Sequence, residues 1–275
     1  MTQQIIIFVA IFFSLVVSLT GLWFIIQRKQ DKSSQQVGLS ILQMLQSMLA
    51  HVQRHRGLSF GASKGVIALT PEIAELKHRI SEDIGSLEKS RSLLISSERW
   101  VRITEQWAKI SAQQYETNGG NILAQHNSLA KMILLIISDT VSIYKLTQLR
   151  SVDSGASITY LWQELLTTAE LLGQARALGT GIAAAGYSEP IERAKLTSLV
   201  KEIEGNSDQL WVHISDHEGL QDHINRFLLC IEENINIHKP SVSPEDFFRL
   251  GSHAIDGLYD YYKNELMILR EKYLA

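Results

Sequence analysis

Apolar positions recur at three- and four-residue steps along nearly the whole of this chain, and strand-like alternation is never sustained. One stretch breaks that pattern. Ile5 to Ile26 reads IIIFVAIFFSLVVSLTGLWFII, 22 residues without a charge. As a helix it is about 33 Å long, against a bilayer hydrocarbon thickness of about 30 Å. A core helix of that length ordinarily carries a polar stripe, and Trp23 lies near one end, where its ring suits the headgroup region. A cleaved signal peptide needs a basic leader and a small-residue cleavage site, and neither is present, so the run reads as an uncleaved anchor. The chain then divides into a short tail (1–4), a transmembrane helix (5–26), a polar juxtamembrane linker (27–38) and a helical domain (39–275).

Within that domain the periodicity predicts successive helices separated by Gly, Pro, Asn and Asp. Leu39, Leu42, Leu45, Leu49 and Val52 mark a helix running toward Lys64. Thr70 as N-cap and Pro71 open a second, carrying Ile73, Leu76, Ile80, Ile84 and Leu87. A third is expected from about Ser97 to Tyr115, closed by Gly119 and Gly120. Residues 121–149 include MILLIISDTV, too short to span a bilayer and interrupted by Asp139, which predicts a buried central helix. Helices from Ser157 to Ala185, Glu189 to Asp216, Gly219 to His238 and Ser243 to Tyr273 complete the set. Long helices with short links and no strands predict an all-α fold: a transmembrane helix followed by one helical bundle or two stacked bundles.

Composition narrows the function. A net charge of -3 gives no basic surface for nucleic acid. Cys230 is the one cysteine and forms no intrachain disulfide. Arg28, Lys29 and Lys32 follow the apolar run while its N-terminal flank has no basic side chain. The expectation is therefore a single-pass protein of the inner (plasma) membrane with a cytoplasmic domain, an extracytoplasmic domain being the alternative. No Walker loop, dinucleotide-binding glycine pattern or nucleophile motif occurs, so the chain is read as a non-enzyme without cofactor. His213 and His217 stand at i, i+4 beside Asp216 and Glu218, but no third defined metal ligand accompanies them. Phe247, Phe248, Tyr259, Tyr261 and Tyr262 have partly helical spacing and read as core.

Two segments echo one another 120 positions apart. Arg56-Gly57-Leu58-Ser59-Phe60-Gly61-Ala62-Ser63 is followed by Pro71 and Leu76; Arg176-Ala177-Leu178-Gly179-Thr180-Gly181-Ile182-Ala183 is followed by Pro190 and Leu196. This reads as a duplicated helical hairpin. The helical neighbours of Arg56 (Val52, Gln53, Ser59, Phe60, Ser63) and of Arg176 (Leu172, Gly173, Gly179, Thr180, Ala183) are mainly apolar or small. An unpartnered buried cation is costly, and no acidic residue lies three or four positions from either arginine. The counter-charge must come from another helix, with Glu164, Glu170 and Asp139 as candidates, or from a bound anion. Two guanidinium groups about 6 Å apart would repel by roughly 3 kcal/mol at an effective dielectric near 20, and a planar oxyanion would remove that repulsion through directional bonds.

Three stretches, HVQRHRGLSFG (His51–Gly61), LLGQARALGTGIAAAG (Leu171–Gly186) and SPEDFFRLGSHAIDGLYDYY (Ser243–Tyr262), resemble in order three stretches of the nitrate- and nitrite-sensing NIT domain. The resemblance covers about residues 39 to 270. It implies two stacked antiparallel four-helix bundles in which arginines from separated helices grip nitrate or nitrite. Arg56 and Arg176 match the arginines of the first two motifs, and Ser59, Gly179 and Thr180 stand beside them as ligand-binding candidates. The chain departs from the family where His55 replaces the usual acidic residue before Arg-Gly, which bears on anion selectivity. No output module fits after Tyr262, so a sensor of this kind would signal through an unidentified protein partner or a homodimer. A ligand-free, membrane-tethered helical scaffold is the alternative, and a chemoreceptor-type ectodomain a third.

Overall fold

The computed structural model describes residues 2–65, 69–90, 92–113, 119–151, 155, 157–214 and 217–274; the side chains of 2–12 and 272–274 are outside that description. Eight α-helices occur among the described residues: α1 (Thr2–Ser63), α2 (Thr70–Lys89), α3 (Glu98–Ala112), α4 (Gly119–Ile143), α5 (Leu166–Ala185), α6 (Pro190–Trp211), α7 (Glu218–Cys230) and α8 (Pro244–Leu274). A π-turn at Leu161–Leu165 leads into α5, and another at Ile231–Ile235 extends α7. The described residues contain no strand, only an isolated bridge between Arg150 and Ser157.

The helix boundaries follow local chemistry. The Ser97 hydroxyl accepts from the Trp100 amide at 3.2 Å and starts α3. Glu189 and Glu192 form a reciprocal capping box at α6 with Pro190 in the first turn. The Ser243 hydroxyl accepts from the Asp246 amide to start α8. Gly186, at φ 73°, closes α5 in the left-handed conformation that glycine adopts without strain. Several boundaries differ from expectation; the helix expected from Ser157 starts at Leu161, and α6 ends at Trp211, its expected end at Asp216 lying outside the described residues. Leu69, not Thr70, is the N-cap of α2, because Thr70 already lies within the helix. Gly119 and Gly120 open α4 and do not close α3, which ends at Ala112; a Cβ at Gly119 would sit 2.8 Å from the Phe60 ring. The third helix's expected end at Tyr115 lies outside the described residues. The stretch 27–38 is helical and belongs to α1, so no break separates the apolar run from the domain.

α1 is the spine. It packs on α2 and α4, with α3 against α4, and its other side meets α5 and α8; α5 in turn packs on α6 and α8, and α7 on α8. Leu39, Leu42, Leu45, Met48, Leu49 and Val52 on α1 are fully buried, each worth about 1.5–3 kcal/mol over exposure. The core they start continues through Ile133 and Ile137 of α4, Leu172 of α5 and Phe247 and Leu269 of α8. The echoed segments fall on the hairpins α1–α2 and α5–α6, which meet through α1 and α5.

Burial on α1 begins near Gln35, where Asp31 pairs with Lys145 at 2.9 Å. Residues 13–26 are exposed throughout, Phe13, Trp23 and Phe24 among them. Among the described residues no helix is long and apolar enough to cross a membrane. Ile5–Phe12 of the expected span lie outside the residues whose side chains are described.

Candidate functional site

Small residues let α1 and α5 approach closely. A Cβ at Gly173 would lie 2.8 Å from Arg56 Nη2 and 3.2 Å from Gln53 Cδ. Hydrogens at these positions of α5 leave room for a guanidinium that a methyl would displace. Gly181 similarly accommodates the Phe60 ring, and Gly179 the Phe247 ring.

Arg56 is fully buried. Its Nη1 donates to Glu170 Oε1 at 2.6 Å and to Asn127 Oδ1 at 2.8 Å, and its Nη2 donates to Glu170 Oε2 at 3.3 Å. Gln53 Nε2 donates to the same carboxylate at 2.8 Å and Gln174 Nε2 at 3.0 Å. The counter-charge therefore comes from α5, and Glu170 stands where a planar oxyanion was expected. A carboxylate offers the fork-shaped acceptor that a guanidinium binds best. Of the two alternatives the sequence leaves open for Arg56, a carboxylate from another helix or a bound anion, this structure shows the first, with Glu170 on its Nη1 and Nη2.

Arg176 is also buried, at 4% exposure, but its surroundings differ. Nη1 donates to the Ser252 hydroxyl at 2.7 Å, and the guanidinium carbon sits 4.5 Å over the Phe248 ring, a cation–π contact. Nε has no partner, as is also true of Arg56 Nε, but among the described residues no carboxylate lies within 4 Å of the Arg176 group. Burial, reinforced by the Arg56 charge, lowers its pKa to about 10, with Asp256 acting in the opposite sense. Arg176 borders a cavity of about 380 Å³ between α1, α2, α5 and α8, bounded also by Gln53, Arg54, Glu72, Ser252 and Tyr259. Arg56 does not border it. The two arginines are linked through Gln53, whose Oε1 accepts from Tyr259 Oη at 2.8 Å while its Nε2 serves Glu170.

The remaining expected ligand residues face elsewhere. The Ser59 hydroxyl lies 3.3 Å from His55 Nδ1, the Thr180 hydroxyl donates to the Arg176 carbonyl at 2.7 Å, and Gly179 packs on Phe247. None of the three borders the cavity. Conversely, the sequence reading takes Tyr259 as core packing and singles out neither Ser252 nor Asp256. Ser252, Asp256 and Tyr259 are spaced i, i+4, i+7, a polar stripe on one face of α8 that could have marked them.

His55 turns away from the arginines. Its Nδ1 lies 2.8 Å from His126 Nε2, and His126 Nδ1 lies 2.7 Å from the Ile122 carbonyl. A carbonyl only accepts, so His126 Nδ1 carries the hydrogen, His126 Nε2 accepts, and His55 Nδ1 donates to it. His55 Nε2 is then a bare acceptor, and it is buried without a partner. Burial lowers both pKa values, that of His126 to about 4. His51 pairs with Asp83 at 2.6 Å at the cavity edge. His213 stacks on Tyr160 and His217 on Trp211. The described residues contain no group of three or more metal-ligating side chains.

Comparison with protein families, with characterised proteins and with solved structures yields no match.

Proposed function

We propose that this chain is a membrane-anchored sensor of a small planar oxyanion, nitrate or nitrite in the NIT-like reading, seated at Arg176. One observation carries the proposal: a buried guanidinium without a carboxylate partner borders an open cavity. A bound monoanion would offset the desolvation that holds the Arg176 pKa down and screen it from Arg56. Differential binding then favours the arrangement in which α5 and α8 close on α1 and α2. Because α1 runs unbroken from this cavity into the apolar run, a change in its packing reaches the anchor directly. The output passes to a protein partner or a second copy.

The anchor is part of the proposal. Phe13, Leu15, Val17, Leu22, Trp23 and Ile26 present an apolar surface of a kind that soluble monomers rarely expose. Alkaline extraction of membranes should leave the full chain in the pellet, and release to the supernatant would sink the anchor. For the site, the full chain in detergent should give a calorimetric titration with nitrate or nitrite that Arg176→Gln abolishes. Absence of heat in the unaltered chain would overturn it. A ligand-free scaffold is the second reading, favoured by the closed Arg56–Glu170 pair, and that same absence of heat would support it.

A further inference from the structure

The cavity at Arg176 is far larger than a three- or four-atom anion. Its 380 Å³ falls in the range of about 300–1,000 Å³ typical of organic ligands, whereas one water occupies about 30 Å³ of liquid. Most charges around it are already matched: Arg54 with Glu72 at 2.6 Å, Arg79 with Glu75 at 2.9 Å, and His51 with Asp83 at 2.6 Å. Two remain. Arg176 is a buried cation, and Asp256 is an exposed anion one turn along α8 from Ser252. Neither has an oppositely charged side chain within 4 Å among the described residues. Ser252 holds Arg176 Nη1 and spends its own proton on the Phe248 carbonyl at 2.8 Å. That leaves the Nη2 edge to meet a ligand. Leu76, Ile255 and Ala50 supply apolar wall on the way out.

A buried unmatched cation together with an unmatched anion on the exposed face complements a zwitterion. Building on the reading that Arg176 seats an oxyanion, we infer that the ligand is an α-amino acid. Its carboxylate lies on the free edge of the Arg176 guanidinium, its ammonium faces Asp256, and its side chain fills the remaining volume against Leu76 and Ile255. The two charged groups of an α-amino acid are separated by a single carbon, so one small molecule satisfies both. A bare inorganic anion leaves Asp256 and most of the cavity unused.

The test is calorimetric titration of the full chain in detergent with the common amino acids, acetate, nitrate and nitrite, repeated with Arg176→Gln and Asp256→Asn. At least one amino acid should bind tenfold or more tightly than acetate or nitrate. Asp256→Asn should weaken it at least tenfold while leaving acetate unchanged, and Arg176→Gln should remove all binding. Asp256 is exposed, so its substitution leaves the fold intact, which circular dichroism checks. Nitrate or acetate binding as tightly as any amino acid, or an unchanged amino-acid affinity in Asp256→Asn, overturns the inference and leaves the anion reading standing. No heat with any ligand overturns both.

Discussion

Arg56 on α1 and Arg176 on α5 stand at matching places in an internal echo, and both are almost wholly buried. Around Arg56, one carboxylate and the amides of Gln53, Asn127 and Gln174 form a network that engages Nη1 and Nη2 and leaves Nε without a partner. Around Arg176 there are a hydroxyl, an aromatic face and open space. The first charge is paired with a carboxylate delivered by a neighbouring helix; the second has no carboxylate within 4 Å among the described residues and feels only the more distant Asp256.

Breaking the paired side should have the largest effect. Glu170→Ala leaves Arg56 buried and unpaired, and chemical denaturation of the full chain should show a loss of about 3–5 kcal/mol. A combined Arg56→Met, Glu170→Met variant should recover most of it, since no charge is then stranded. An undiminished stability in Glu170→Ala would remove the contrast between the two arginines.

Acid tests the same half of the molecule through its histidine pair. The His126 pKa falls from 6.5 unfolded to about 4 folded, so between these values the unfolded chain binds a proton that the folded chain does not. Stability is therefore full above pH 6.5 and is lost as pH drops toward 4, by about 3 kcal/mol from this group. Thermal melts across that range should be visibly flatter in His126→Gln. An identical slope would show that His126 is not the group responsible.

Gly173→Ala probes the closeness of the helices. Its new methyl would crowd Arg56 Nη2 and Gln53, and overpacking of this kind costs about 1–3 kcal/mol. Melting at the unaltered temperature would mean that the guanidinium shifts without leaving Glu170. The smallest effect has the opposite sign. The depressed Arg176 pKa marks a cation whose charge the fold disfavours, chiefly through burial. Arg176→Met should accordingly stabilise the ligand-free chain by about 1–2 kcal/mol, after the loss of its stacking on Phe248. Stabilisation together with loss of binding is the signature of a residue kept for a ligand; destabilisation would make Arg176 a structural residue like Arg56.

Helix identity was legible because its signals are local. Ser97, Pro190, Gly186 and Ser243 act on backbone groups within a turn of themselves, and the three- and four-residue apolar spacing survives whatever packs against it. The errors at Thr70 and Gly119 have the opposite origin: Gly119 lies where it does because α4 must pass close to Phe60, a contact 59 positions away in sequence.

The same division runs through the site. By itself the sequence determined that the chain is helical, that an uncharged apolar run precedes the domain, and that Arg56 and Arg176 lie on faces without a local counter-charge. Only the tertiary structure decided that Glu170 reaches Arg56, that Ser252 and Phe248 reach Arg176, and that Ser59, Gly179 and Thr180 point elsewhere. Periodicity states which side of a helix is apolar. It does not state the rotation and axial register of one helix against the next, and across helices those two quantities determine which side chains come within hydrogen-bonding distance.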